Sequence, residues 1–391
     1  MQFADRLNLF GGNVFADMDL AKTQARAQGQ TIIDLSLGSS DLPTPAPILA
    51  TIAKALDDPQ THGYLLHQGT LPLREAIAVW YEKRFGLAVD AETEVLPLIG
   101  SQEGTAHLPL AVLNPGDVAL LMDPGYPSHM GGVHLAGGEI YPMALRSENQ
   151  FLPVFADIPD AILAKAKMMV LSYPHNPTTA IASLDFFQTA VQFCQDYNLV
   201  LVHDFPYMDL VFDGTELPPS ILLADPEKSR SIEFFTFSKS YNMGGFRIGF
   251  AIGNTQLISA LKKIKAVVDF NQYIGILQGA IAALESPPEI VQQTVQIFAQ
   301  RRATLVDALQ SIGWNVALPT ATMYVWAPLP PTWSGNSLEF CQKLVARTGV
   351  ALSPGSGFGP GGEGYVRFAL VQEPAILATA AQKIGQFLNQ N

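Results

Sequence analysis

The stretch that decides the fold is residues 236–247, Thr-Phe-Ser-Lys-Ser-Tyr-Asn-Met-Gly-Gly-Phe-Arg. Residues 232–237 form a largely apolar run that predicts a buried strand. Lys239 therefore lies where this strand gives way to a turn, between two small serines. Burial disfavours the charged ammonium, so a lysine at this place loses its proton more readily and can attack a carbonyl carbon.

Arg247, at the end of the same stretch, adds a second chemical group. The two glycines before it permit a tight backbone path that returns its side chain toward Lys239. A guanidinium can grip a phosphate through two parallel hydrogen bonds. A lysine that attacks carbonyls beside a phosphate clamp suggests pyridoxal phosphate as the cofactor. For an isolated Ser-Lys-Ser tripeptide, a surface lysine in a polar loop is the alternative interpretation.

The composition predicts a compact enzyme with a sizeable core, since the chain has 391 residues, 48% hydrophobic and 15% charged. A net charge of -12 leaves no basic surplus and argues against a nucleic acid partner. The two cysteines, Cys194 and Cys341, are expected to be reduced. Asp5 and Arg6 lie where the apolar core of a signal peptide would begin, and no apolar run approaches about 20 residues, so we expect no membrane span and a cytoplasmic location.

Short apolar runs alternate with helical patterns after Glu94, which is typical of a mostly parallel sheet between layers of helices. The predicted strands are 95–99, 118–122, 139–143, 168–172, 199–203, 232–236 and 247–252. We therefore predict an α/β fold, with a large domain at 46–285 that contains this seven-stranded sheet. Pro287 and Pro288 mark a hinge. Residues 286–391 are predicted to form a smaller α+β domain, with strands near 314–316 and 323–326, and residues 1–45 an N-terminal arm that forms part of it.

Polar residues follow several of the predicted strands, at the sheet edge where ligands of open parallel sheets gather. The turn 99–104 leads into a helix and can aim free N–H groups at an anion, although most turns of this kind are only turns. Asp204 ends an apolar run, where a carboxylate is costly unless a cation pairs with it, or it caps a helix. Tyr126 offers a flat face for a stacked ring, or covers the sheet end as a core residue. Asn176 can hydrogen-bond a ligand, or simply begins a turn.

The block 236–247 resembles the lysine signature of the class I and II aminotransferases, which are fold-type I pyridoxal phosphate enzymes. The resemblance runs without a large gap from Phe3 to about Phe387, and within the family the chain is similar to the LL-diaminopimelate aminotransferases. The segments that carry this closer similarity are 97–101, 106–111, 238–243, 321–327 and 359–365.

The resemblance implies that Lys239 is the catalytic residue, which moves a proton as general base and acid. It implies that Asp204 holds the pyridine nitrogen, that Asn176 and Tyr207 contact the ring oxygen, and that Tyr126 stacks on the ring. The residues implied to hold the phosphate are Ser101, Gln102, Ser238, Arg247 and, from the partner subunit of a homodimer with shared active sites, Tyr64.

The same resemblance assigns Gly38, Asn176 and Arg367 to substrate binding, with Arg367 on the α-carboxylate, and it implies no metal. From the residues alone, Arg367 could be a structural salt-bridge partner, and the proline-rich segment 38–45 a plain linker. The implied reaction moves an amino group from an amino acid to a 2-oxo acid. The favoured pair is LL-diaminopimelate and 2-oxoglutarate.

Two positions depart from the family pattern. Gln102 stands where many of these relatives have a lysine, and Thr179 replaces the glycine of an Asn-Pro-Thr-Gly motif. An aminotransferase for alanine or aspartate, and a C–S lyase of the same fold, are the alternative enzymes. A ligand-sensing transcriptional regulator is a further alternative, but it would need a DNA-binding segment, and residues 1–37 are few and not basic.

Overall fold

A seven-stranded sheet forms the centre of the computed structural model, which describes residues 1, 3–10, 14–212 and 214–390. The strands of this sheet are β2 (Val95–Leu98), β3 (Val118–Asp123), β4 (Glu139–Ala144), β5 (Ala166–Leu171), β6 (Val200–Asp204), β7 (Ser231–Thr236) and β8 (Gly249–Gly253). Their order across the sheet is β2-β8-β7-β6-β5-β3-β4. Only β8 runs antiparallel to its two neighbours. All seven predicted strands and the mostly parallel sheet are confirmed.

The described helices cover both faces of this sheet and build most of the remaining chain. They are α1 (Val14–Ala27), α2 (Ala46–Ala55), α3 (Leu71–Phe85), α4 (Ser101–Val112), α5 (Pro127–Ala136), α6 (Asp160–Leu163), α7 (Leu184–Asp196), α8 (Phe237–Ser240), α9 (Thr255–Val268), α10 (Ile274–Leu284), α11 (Glu289–Ser311), α12 (Ser337–Thr348) and α13 (Pro374–Leu388). Short 3-10 turns connect several of them. Within the described residues, no helix combines the length and the apolar character that crossing a membrane requires.

Two hydrophobic clusters lie on opposite faces of the large sheet, because successive side chains of a strand point to opposite sides. Leu120 of β3 belongs to the cluster that includes Tyr81 of α3 and Phe187 of α7. The next residue, Leu121, belongs to the cluster that includes Leu108 of α4 and other residues of the facing helices. Burial on both faces explains why the central strands are continuously apolar rather than alternating.

The remaining strands are short and form two small sheets. They are β1 (Ile33–Asp34), β9 (Tyr324–Pro328), β10 (Val350–Ala351), β11 (Ser353–Pro354) and β12 (Tyr365–Ala369). β1 pairs with β10, and β12 lies between β11 and β9. The predicted strand at 314–316 is wrong: the carbonyl of Val316 accepts a hydrogen bond from the Gln310 side chain, and the indole of Trp314 donates to Pro328.

A third hydrophobic cluster joins the beginning and the end of the chain. Met18 and Leu35 share it with Phe298 of α11, Leu344 of α12 and Ile384 of α13. The first residues of α11 pack instead against the cluster of the large sheet. The division at residues 45 and 285 stays a prediction.

Candidate active site

Lys239 lies on α8, the single helical turn that follows β7. Thr236 caps this turn, its hydroxyl accepting a hydrogen bond from the amide of Ser238 at 3.1 Å. Ser240 fastens the other end by donating to Asp209 at 2.5 Å. The lysine is half-buried rather than buried as expected, and its Nζ donates to the carbonyl of Gly38 at 2.6 Å. The amine is therefore held at a fixed place between the lysine block and the loop that begins at Gly38.

Asp204, at the end of β6, is buried with one oxygen partnered and one free. Its Oδ2 accepts a hydrogen bond from Nε2 of His129 at 3.1 Å, and both side chains are about 5% exposed. Its Oδ1 has no hydrogen-bond partner among the described residues, although it is buried. An unpaired carboxylate oxygen in the interior costs free energy, so this atom needs a cation or donor from a ligand.

The first turn of α4 forms a cradle for an anion. Gly100 precedes the helix at φ 75°, and its place lacks room for a side chain because a Cβ would come within 2.7 Å of Nη2 of Arg247. The guanidinium of Arg247 therefore lies directly against the start of the helix. Helix N-terminal N–H groups beside a guanidinium favour a phosphate. Ser101 and Gln102 occupy this turn.

Two buried tyrosines meet at the centre of the site. The hydroxyls of Tyr207 and Tyr324 are hydrogen-bonded at 2.8 Å. Burial raises the pKa of Tyr207 well above its ordinary value. Burial acts in the same direction on Tyr324, but the charges of Lys239 and Arg367 outweigh it and lower the pKa of Tyr324. A Cβ at Gly38 would overlap the hydroxyl of Tyr324, which explains the glycine at this place.

Arg367, on β12, is a buried cation without a carboxylate partner among the described residues. Nη1 donates to Oδ1 of Asn176 at 2.7 Å, and Nη2 donates to the carbonyl of Ser36 at 2.9 Å. The guanidinium lies over the rings of Tyr324 and Phe358, at 4.2 and 4.6 Å from their centroids. Its Nε is buried and unpartnered. The arrangement leaves a positive charge to be neutralised by an anionic ligand.

Thr179 adopts a backbone conformation that favours glycine. Its φ is 65°, in the left-handed region that β-branched residues rarely occupy. The amide of Thr179 donates to the carbonyl of His175 at 2.8 Å, and the hydroxyl of Thr178 bonds Nδ1 of His175 at 2.7 Å. These contacts hold the turn after Asn176, so the substitution leaves the asparagine in the site.

Most of these residues line a single cavity of about 660 Å³. The predicted site residues that line it are Gly38, Ser101, Gln102, Tyr126, Asn176, Asp204, Tyr207, Ser238, Lys239, Arg247 and Arg367. Tyr64 is the exception, since its side chain is 95% exposed and lies against Phe270 at a ring distance of 6.3 Å. A single chain does not bring Tyr64 to the cavity.

The sequence reasoning missed several residues of the site, among them His129 and Tyr324. His129 follows Tyr126 by one helical turn, and its ring packs edge-on to the tyrosine at 5.7 Å. That spacing at the start of α5 was the available signal for His129. Tyr324 carried no such signal, because its neighbours in the site come from distant parts of the chain.

Comparison with known proteins agrees with this fold. The profile of the family described as "Aminotransferase class I and II" matches residues 30–384. The chain therefore belongs to the class I and II aminotransferase family, and it is an aminotransferase.

Among individual proteins, the chain is 43% identical over 390 residues to a protein named LL-diaminopimelate aminotransferase from Dehalococcoides mccartyi, with all of both chains covered. A solved structure named probable N-succinyldiaminopimelate aminotransferase from Thermus thermophilus is also 43% identical, with a TM-score of 0.90, covering 95% of this chain and 99% of that one. Substrate-bound BacF from Bacillus subtilis is 35% identical, with a TM-score of 0.94, covering 99% of this chain and 98% of the other.

Proposed function

We propose that this aminotransferase uses pyridoxal phosphate to move an amino group from LL-diaminopimelate to 2-oxoglutarate. The observation that carries the proposal is one cavity in which the amine of Lys239 lies with two buried and incompletely neutralised charges, Asp204 and Arg367. A negative group and a positive group in one cavity with a lysine suit a cofactor that carries a cationic ring nitrogen and a substrate that carries a carboxylate.

The residues of the cavity fit pyridoxal phosphate. The free Oδ1 of Asp204 suits a protonated pyridine nitrogen, and His129 on Oδ2 would hold the carboxylate in orientation. The phosphate would lie at the first turn of α4, held by Ser101, Gln102, Ser238 and Arg247. The ring would lie beside Tyr126, with Asn176 and Tyr207 at its oxygen. Bound pyridoxal phosphate supplies an electron sink that stabilises negative charge at the substrate's Cα.

The protein's own groups would then bind the substrate and move its proton. Arg367 binds the α-carboxylate, for which its two terminal nitrogens provide parallel donors. Lys239 would take the proton from the substrate's Cα as general base and then give the proton up as general acid. Gly38 supports the lysine through its carbonyl and covers the substrate. Because donor and acceptor both carry a carboxylate next to the reacting carbon, the same groups serve both halves of the reaction.

The choice of LL-diaminopimelate rests on the relatives and on Gln102. Proteins named LL-diaminopimelate aminotransferase are 40% and 43% identical to this chain over at least 98% of its length. Gln102 can hydrogen-bond a distal group through its amide, whereas a short acidic donor such as aspartate needs a full cation to pair with its second carboxylate. Aspartate is therefore expected to be a poor donor.

The active unit of the proposal is a homodimer. Tyr64 is exposed and outside the chain's own cavity, which suits a residue that reaches the phosphate of the partner subunit. We also propose that residues 46–285 form the large domain, residues 286–391 the small domain and residues 1–45 the N-terminal arm. The proposal also includes a cytoplasmic location, with which the two free, buried cysteines agree.

The test is kcat/KM for LL-diaminopimelate, aspartate, alanine and an aromatic amino acid, all with 2-oxoglutarate as acceptor. LL-diaminopimelate should lead the panel. A lead of tenfold, or about 1.4 kcal/mol, by aspartate or the aromatic donor would contradict the substrate assignment. Release of pyruvate and ammonia from cystathionine without an oxo acid would indicate a lyase instead.

A further inference from the structure

The cavity contains a second group of charges, which Ser36 links to Arg367. Asp19 and Lys22 of α1 line the same cavity as Lys239. Ser36 links the two regions, because its carbonyl accepts a hydrogen bond from Arg367 at 2.9 Å and its hydroxyl lies 3.5 Å from Nζ of Lys22. Asp19 and Lys22 therefore lie on the Arg367 side of the cavity.

The charges of this group are unequal. Nζ of Lys22 lies 2.7 Å from Asp19 and 2.9 Å from Asp34, so two carboxylates surround one ammonium and the formal sum is -1. Burial lowers the pKa of Lys22, but the hydrogen bonds to the two aspartates outweigh burial and raise it. Burial also raises the pKa of Asp34, but the bonds from Ser36 and Lys22 outweigh this and lower it. The surplus charge of the group is therefore negative.

The two aspartates differ in their capacity for a further partner. Asp34 is fully engaged, since Oδ1 accepts from the amide and the hydroxyl of Ser36 at 2.9 and 2.6 Å, and Oδ2 accepts from Lys22. Asp19 pairs with Lys22 through Oδ1, and its Oδ2 receives no hydrogen bond from the described part of the chain. Its side chain is 73% exposed, whereas that of Lys22 is 11% exposed. Lys22 thus holds Asp19 in place, and Asp19 offers a free acceptor.

We propose that Asp19 is a specificity-determining residue that binds a free ammonium at the far end of the substrate's side chain. The proposal rests on the proposed function, since it takes the amino acid to be anchored at Arg367 and Lys239. It names the substrate class as amino acids that carry a second, unacylated amino group. An N-acylated amine has lost both its charge and two of its donors, so Asp19 discriminates against it.

Two relatives at 43% identity are named for different substrates, LL-diaminopimelate and N-succinyldiaminopimelate, and Asp19 distinguishes between these substrates. LL-diaminopimelate has a free distal ammonium, whereas in N-succinyldiaminopimelate the distal nitrogen is an amide. Asp19 favours the first of these substrates. An additional carboxylate from the succinyl group would also meet a region whose formal charge is already negative.

The test compares two donors in the full-length holoenzyme, LL-diaminopimelate and 2-aminopimelate, which keeps the carbon chain and both carboxylates but lacks the distal amine. In Asp19→Asn the ratio of kcat/KM for the first donor over the second should fall about fivefold to tenfold relative to the wild type, mainly through KM. Tenfold corresponds to about 1.4 kcal/mol. N-succinyldiaminopimelate, assayed in parallel, should gain relative to LL-diaminopimelate in the same variant.

Asp17→Asn is the matched control, because Asp17 is an exposed aspartate of the same helix that does not line this cavity. Thermal unfolding of both variants checks that α1 is intact. A donor ratio in Asp19→Asn equal to that of the wild type would overturn the role of Asp19 and leave the proposed function standing. Wild-type enzyme that uses no diamino acid would instead contradict the proposed function itself.

Discussion

The guanidinium of Arg367 donates to the amide oxygen of Asn176 at 2.7 Å, and these two residues lie 191 positions apart in the chain. The contact joins β12 to the turn that follows β5, and it orients a buried cation without neutralising it. A neutral amide is a suitable partner for this purpose, since a carboxylate at the same place would compete with the substrate for the arginine.

Replacing Arg367 with lysine should lower kcat/KM about 100-fold for every amino donor, equivalent to about 2.7 kcal/mol. Lysine retains the charge but loses the planar pair of donors, so the substitution is not conservative here. The loss should appear mainly in KM. Arg26→Lys, on the exposed surface of α1, is the control. An unchanged KM would contradict the assignment of the α-carboxylate to Arg367.

Lys239 should be the residue that binds the cofactor covalently. Borohydride treatment of the holoenzyme, followed by peptide mapping, is expected to attach the cofactor to the peptide that contains Lys239. Lys239→Ala should retain the phosphate cradle and still bind pyridoxal phosphate, while turnover collapses. Attachment to Lys262, Lys263 or any other lysine would show that the assignment is wrong.

Asp204 and His129 should act as a coupled pair, because Oδ1 of Asp204 is free to pair with the cofactor while His129 holds Oδ2. Asp204→Ala should weaken pyridoxal phosphate binding more than His129→Ala does, as judged by the absorbance of bound cofactor during dialysis. The double variant should resemble Asp204→Ala, since the histidine acts through the carboxylate. Additive losses in the double variant would argue that His129 acts independently.

Tyr64 should belong to the site of the partner subunit. The test mixes the Lys239→Ala variant with a Tyr64→Phe variant of impaired activity and allows them to exchange subunits. The mixture should recover activity, because one of the two sites in a hybrid dimer carries neither substitution. Tyr197 is another exposed tyrosine, and Tyr197→Phe is the control. This variant should keep the activity of the wild type. Sedimentation at assay concentration provides the independent check, and a fully active monomer would refute a shared site.

Glu103, in the first turn of α4, should make stability depend on pH. Its carboxylate is 2.9 Å from Lys265, and burial raises its pKa from 4.5 to about 7, although Lys265 and the amide of Ile99 act in the opposite direction. The folded chain thus holds this proton more tightly than the unfolded chain. The contribution of Glu103 to the free energy of unfolding is complete below about pH 4.5 and is lost as the pH rises through about 7.

Urea unfolding of the wild type and of Glu103→Gln at several pH values measures this effect. The free energy of unfolding of the wild type, relative to the variant, should fall by as much as about 3 kcal/mol between the two pKa values. Taking the difference removes the titration of histidines in the same range. Glu75→Gln, on the exposed side of α3, supplies the baseline. A difference that rises with pH would show that the ion pair with Lys265 outweighs burial.

The class of fold and the polar residues that follow the strands could both be predicted from the sequence. Apolar runs of the right length and spacing predict strands wherever both faces of a sheet are covered, and all seven were found this way. The polar residues at their ends could be predicted too, since parallel strands bring their carboxyl ends to one edge of the sheet. Asn176, Asp204 and Lys239 all belong to this group.

The long-range contacts that complete the site could not be predicted from the sequence, because they depend on tertiary packing. Tyr324 meets Tyr207 and Arg367, and α1 brings Asp19 and Lys22 to the cavity, because the N-terminal segment packs into the same hydrophobic cluster as α11, α12 and α13. These contacts depend on the packing of segments that are far apart in the chain, and local periodicity carries no information about them. The free oxygen of Asp204 and the unneutralised charge of Arg367 likewise depend on the positions of all neighbouring side chains, which the sequence does not give.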